Sequence, residues 1–202
     1  MCGDPAPVHP RDLFPDWPRP PYEGFTTDDL FRLPGLPAHT QLLDGSFVFA
    51  ACQSFFHSGT TDLLVGGLRG AAPADLRVLR QMVMLVDARN APEPDVAVVR
   101  RMAACRRDQM SVRARDVLLA VEVVSPESEA RDRDTKPHKY AGAGIPYFWR
   151  VEMAGVDDRP TVHVFELGKE DRTYHSVAIH HDRLKLTTPF DIDIDLTEIE
   201  NL

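Results

Sequence analysis

The chain alternates short apolar runs with clusters of proline, glycine and charge, and this pattern predicts most of its elements. Phe25-Thr26-Thr27-Asp28-Asp29-Leu30-Phe31 predicts a short helix: Thr26 caps it, Asp29 three residues on completes a capping box, and it ends before Pro34. Within residues 41–49, two β-type runs flank Asp44-Gly45, the pair that most favours a tight hairpin turn. Residues 54–68 predict a second helix, with Gly66-Gly67 read as its end. Six strands follow, at Val78–Val86, Pro94–Val99, Asp116–Ser125, Pro146–Val151, Pro160–Glu166 and Thr173–Ile179, each rich in β-branched or aromatic residues. Val117-Leu118-Leu119-Ala120-Val121 is apolar without alternation, as in a central strand covered on both faces. A short helix near 135–143 takes Pro137 in its first turn and is stopped by Gly142 or Gly144 with Pro146. Near the end, Asp191, Asp193 and Asp195 alternate with Phe190, Ile192, Ile194 and Leu196, an amphipathic edge strand. The expected fold class is α/β (α+β): a mixed sheet flanked by helices, with an N-terminal hairpin and an added antiparallel C-terminal strand region.

Length and composition narrow this to one folded unit. The 202 residues suit one core, and residues 1–24 hold seven of the 17 prolines without apolar period, so they read as an extended leader outside a single domain at 25–202. No apolar run approaches the roughly 20 residues of a membrane span, and the N-terminus lacks a basic-then-apolar secretion signal, so the expected location is cytoplasmic. Cys2, Cys52 and Cys105 have no disulfide or metal-ligand spacing and read as reduced thiols. The net charge of −8 argues against nucleic acid until it is divided: residues 1–45 carry −4, 46–151 carry +3, 152–186 carry −2 and 187–202 carry −5. Arg100, Arg101, Arg106, Arg107, Arg113 and Arg115 lie in the basic part and fit a solvated loop as well as a phosphate-contacting patch.

Candidate chemistry begins with two acids set against apolar strands. Asp95 opens Pro94–Val99, and Glu122 projects from the same face as Ala120 and Val124. An unpaired carboxylate there is costly unless a cation compensates it. If the two strands are neighbours, both acids can reach one divalent ion, and hard oxygen donors suit Mg²⁺ or Mn²⁺. Lysine is scarce, four against 19 arginines. Lys136 opens the helix after the Glu122 strand, and helical spacing puts Asp132, if the helix reaches it, Lys136 and Tyr140 on one face. Glu93 shares a strand face with Asp95 and reads as a rim carboxylate ahead of an extra ligand, and Lys139, about 60° around the helix, is the fallback for Lys136. His180-His181 reads as an exposed turn, and Tyr147, Phe148 and Trp149 as packing.

The segments 94–99, Val121-Glu122-Val123-Val124-Ser125-Pro126, Asp132-x-x-x-Lys136-x-x-x-Tyr140 and 144–151 together resemble the Uma-two (Uma2) family of the PD-(D/E)XK, restriction-endonuclease-like superfamily. The resemblance covers about residues 25–195. It implies a DNA endonuclease with Asp95 and Glu122 as metal ligands, a further oxygen from the Val123 carbonyl, and Lys136 in the place of the catalytic lysine. In the superfamily pattern that lysine stands two residues after the acid, where this chain has Val124. Relatives carry Glu at the positions of Gln41 and Ser46, so Gln41 keeps an oxygen but loses a charge. His57 matches a histidine after the hairpin. The resemblance further implies Mg²⁺ or Mn²⁺ as cofactor, no organic cofactor, DNA as partner and a homodimer or higher oligomer; the alternative is a decayed nuclease fold serving as a nucleic-acid-binding or regulatory module.

Overall fold

The computed structural model describes residues 18–154 and 158–201. Most of the proline-rich leader, with Cys2, lies outside the described residues. In chain order the elements are α1 (Thr27–Arg32), β1 (Gln41–Leu43), β2 (Ser46–Val48), α2 (Phe55–Ala71), β3 (Leu76–Arg80), β4 (Val83–Leu85), β5 (Val96–Arg100) and β6 (Ser111–Arg113). Then come β7 (Val117–Val123), a π-turn (Arg131–Thr135) running into α3 (Lys136–Ala143), β8 (Tyr147–Ala154), β9 (Arg159–Leu167), β10 (Tyr174–His180), β11 (Arg183–Leu186) and β12 (Ile192–Asp195).

Six strands form one mixed sheet in the order β10-β9-β8-β7-β5-β3. The β7–β8 pair is parallel and is joined through α3, whereas β5 runs antiparallel to β7 with Val96 opposite Val121. Alternation sorts the strand residues into two cores. Val96, Val98, Leu119, Val121, Val123 and Trp149 pack with α2 and β12 on one face. Ala97, Val99, Ala120, Phe148, Tyr140 and Ile145 pack on the face that α3 covers. Glu122 follows the parity of Ala120 and belongs to the α3 face, while Asp95 stands just before β5 at the edge of the sheet.

The capping box at Thr26 and Asp29 is present, with Asp29 N–H and the Thr26 hydroxyl 3.3 Å apart. The hairpin forms at Asp44-Gly45, both with positive φ, and docks through Leu42, which exchanges backbone hydrogen bonds with Ala91. Two boundaries differ from expectation. The 78–86 run breaks at Gln81, whose φ of 47° ends β3; its N–H bonds the Asp95 carbonyl, and β4 leaves to pair with β6. Gly66-Gly67 lie inside α2, which continues to Ala71, because the helix needs the missing side chain: a Cβ on Gly67 would stand 2.5 Å from Ile194 of β12. The aspartate-rich strand alternates as expected, its isoleucines buried and its aspartates exposed, but it pairs with β11 in a separate two-stranded sheet. Phe148 and Trp149 are core residues.

Candidate active site

Antiparallel register carries the two acids together. With Val96 opposite Val121, Asp95 at the mouth of β5 meets the Glu122 end of β7. Asp95 Oδ2 accepts the Val123 N–H at 2.8 Å, and its Oδ1 lies 3.2 Å from His57 Nε2. His57 sits in the first turn of α2, where Ser54 caps the helix by accepting its N–H. The histidine is buried, and its Nδ1 has no hydrogen-bond partner among the described residues.

Glu122 is 1% exposed, and each of its carboxylate oxygens accepts one hydrogen bond. Its Oε2 accepts from Lys136 Nζ at 2.7 Å, and its Oε1 accepts a short hydrogen bond from the Tyr140 hydroxyl. Lys136 is also buried, with Asp132 Oδ1 2.9 Å from Nζ on its other side. That second approach is out of line for hydrogen bonding, and Asp132 Oδ1 stays without a hydrogen bond. The π-turn and α3 present Asp132, Lys136 and Tyr140 as one ridge facing β7.

The electrostatics follow from this packing. Burial pushes the Glu122 carboxyl well above its usual range; Lys136 pulls it back, while Asp132 and Asp95 push it up again. Burial alone would lower the Lys136 ammonium, but Glu122, Asp132 and Asp95 more than offset that and raise it. The Tyr140 phenol is raised by burial and by Glu122, so it remains a donor. Two acids, Glu122 and Asp132, thus flank one ammonium, and Asp95 acts on it from further away.

These groups line a cavity of about 70 Å³, together with Gln41, Glu93, His39 and the loop after β2. The space suits a hydrated ion rather than a bulky organic ligand. Glu93 is buried at the rim; burial raises its carboxyl, and His39, whose Nδ1 is 2.7 Å away, lowers it. The Gln41 side-chain oxygen accepts the Glu93 N–H at 3.2 Å. Lys139 does not join the cavity: its Nζ is 2.6 Å from Asp44 Oδ1 and ties α3 to the hairpin turn. Among the described residues no group of three or more His, Cys, Asp or Glu side chains forms a ready metal centre. Donor chemistry nevertheless fits a hard divalent cation, because acids outnumber the ammonium and a buried carboxylate oxygen lacks a hydrogen bond. Water must then supply the remaining ligands.

The arginine cluster is placed elsewhere. Arg100 ends β5 and Arg115 precedes β7, at the end of the strands opposite Asp95 and Glu122, roughly 16 Å of strand away. Sequence reading brought Asp95, Glu122, Lys136 and, by helical spacing, Asp132 and Tyr140 to one place. It gave no role to His57, because a contact between the first turn of α2 and the mouth of β5 leaves no local pattern.

The mixed sheet carries acids at the ends of two adjacent central strands and a lysine on the following helix. Residues 27–197 match the Uma2 family, described as "Putative restriction endonuclease", and the chain belongs to that family. Among solved structures it is similar to one described as a "putative nuclease belonging to DUF820" from Anabaena variabilis ATCC 29413. The TM-score is 0.65 at 14% identity, over 88% of this chain and 98% of that one, which shows the shared fold. No curated protein matches the chain in sequence. Among the described residues no helix is long and apolar enough to cross a membrane.

Proposed function

We propose that the protein is a Mg²⁺- or Mn²⁺-dependent endonuclease that hydrolyses phosphodiester bonds of DNA. The observation that carries this reading is the placing of Asp95, Glu122 and Lys136 around one cavity, with more carboxylate than ammonium charge. Asp95 and Glu122 would hold the cation, with the Val123 carbonyl as a further oxygen donor. When bound, such an ion polarises the scissile phosphate and lowers the pKa of water.

The chain's own residues do the rest. The Val123 N–H and His57 fix the Asp95 carboxylate. Tyr140 holds one oxygen of Glu122 in place. Lys136 stays protonated beside its acids, and its Nζ orients the attacking water or balances charge developing on the phosphate. Asp132 gives that ammonium a second counter-charge when Glu122 is engaged elsewhere. Glu93, fixed by His39 and Gln41, is the rim acid of the same site. A single domain at 25–202, cytoplasmic location and homo-oligomeric assembly belong to the same reading; the exposed, unpaired Cys52 and Cys105 suit a reducing compartment.

The test is plasmid nicking or linearisation with Mg²⁺ or Mn²⁺, lost on chelation and in Asp95→Asn and Glu122→Gln. Equal cleavage by those variants overturns the reading. A second reading, a decayed fold that binds nucleic acid without cutting it, draws on Gln41, whose oxygen is spent on the Glu93 N–H. It predicts DNA binding indifferent to metal and no cleavage by the intact chain.

A further inference from the structure

Helix α3 has a second side. Beyond the ridge that faces Glu122, Pro137, His138, Ala141 and Gly142 border a groove of about 310 Å³ over β8, β9 and β10. Its floor is aromatic: Phe148 packs against Phe165 at 5.6 Å and Tyr174 at 5.5 Å between ring centroids. Its charged lining is Arg133, Arg150 and Arg172, with His138, and includes no carboxylate.

The arginines are fixed in different ways. Arg150 lies over the Phe165 ring, 5.4 Å from its centroid, and donates to Glu152 at 2.6 Å. Arg133 is 2.9 Å from both Glu129 and Glu152. Arg172 donates to the Gly142 carbonyl at 3.0 Å. Each of these contacts leaves N–H groups of the five-donor guanidinium for a ligand. The Tyr174 hydroxyl donates to the Ile145 carbonyl at 2.8 Å, which fixes the ring in the lining of the groove.

Aromatic planes with arginines around them, and no acid facing inward, match the surface on which unpaired bases stack while their phosphates are neutralised. A paired base hides its faces within the helical stack, so the floor favours single-stranded nucleic acid over duplex. The groove and the candidate active site flank one helix, about 10 Å across, a span of about three stacked nucleotides. We propose that this groove binds an unpaired nucleotide of the strand held at the active site, its base on the Phe165–Tyr174–Arg150 floor and its phosphate on Arg133 or Arg172. The choice of a nucleic-acid strand as ligand rests on the proposed function above.

The probe is a fluorescein-labelled oligothymidylate, titrated with the full chain in EDTA over a range of KCl and read by anisotropy. Binding by the wild type is expected to exceed that of a duplex of equal length. Phe165→Leu, which keeps an apolar floor, should weaken binding about 5- to 150-fold. Arg172→Gln, at an exposed position, should lower the slope of log affinity against log salt by about 0.7, while Arg183→Gln on β11 leaves it unchanged. The proposal is overturned if the oligonucleotide does not bind, if neither groove variant alters binding, or if duplex binds as well. Chelation separates the two readings. Groove-dependent binding by a chain that never cuts DNA sinks the nuclease reading alone, and metal-dependent cleavage without groove-dependent binding sinks the groove alone.

Discussion

The two sides of α3 differ in what they ask of charge. On the inner side Lys136 is buried between Glu122 and Asp132. On the outer side Arg133 is about half exposed and Arg172 is exposed, with aromatic rings below them. Buried ionic groups are strongly coupled, so removing one strands the others; exposed groups are screened by water and act on a ligand more than on the fold. One helix thus combines a centre that is expensive to alter with a surface that is cheap to alter.

Substitutions can break or sharpen that contrast. Glu122→Gln should reduce DNA cleavage on the order of 10³-fold, measured as single-turnover rates, whereas Arg133→Gln should leave the rate at saturating DNA within a few fold. Lys136→Met leaves Glu122 and Asp132 buried without their ammonium and should destabilise the fold by about 3–5 kcal/mol in urea denaturation. A loss under 1 kcal/mol would mean the acids take up protons instead. His57→Phe preserves bulk but frees Asp95, and should weaken Mn²⁺ binding about 10- to 100-fold by calorimetry. An unchanged affinity would reduce His57 to packing.

Alkaline pH gives a milder contrast. The folded pKa values of Lys136 and Tyr140 are raised above their usual 10.5 and 10.0. Their protonated forms favour the fold, so this stability is fully present below about pH 10 and declines as pH rises above it, toward the folded values. Urea midpoints at pH 9 and 11 should fall less in Lys136→Met than in the wild type. The smallest effect belongs to Arg133→Gln, which should change stability by no more than about 1 kcal/mol, since the side chain is 47% exposed. A larger loss would show that its links to Glu129 and Glu152 hold α3 on the sheet.

How far the sequence could be read follows the range of the forces involved. Thr26 and Asp29, Asp44-Gly45, and the spacing from Asp132 to Tyr140 act within a few residues, so their patterns are local and legible. The Asp95–Glu122 encounter was legible as a condition, two acidic strand ends that meet if their strands are neighbours. Gln81 was not, because its break is set by a bond to the Asp95 carbonyl and by the departure of β4 to β6. Gly67 was misread as a helix end because only the approach of Ile194, far along the chain, shows why a glycine is needed there. Lys139 had a plausible helical position, but Asp44 of the hairpin draws it away. The outer groove joins residues from α3, β8, β9 and β10, and no single stretch of sequence announces it.

The parallel pairing of β7 with β8 has a consequence for inheritance. A parallel neighbour requires a crossover, and here the crossover is the π-turn with α3. Residues 117–151 therefore carry Glu122, Asp132, Lys136 and Tyr140 as one uninterrupted cassette. Recombination at its borders would transfer the whole ion cluster at once and leave the recipient to supply equivalents of Asp95 and of the His57 that holds it, while an insertion between Asp132 and Lys136 would separate the lysine from both of its acids.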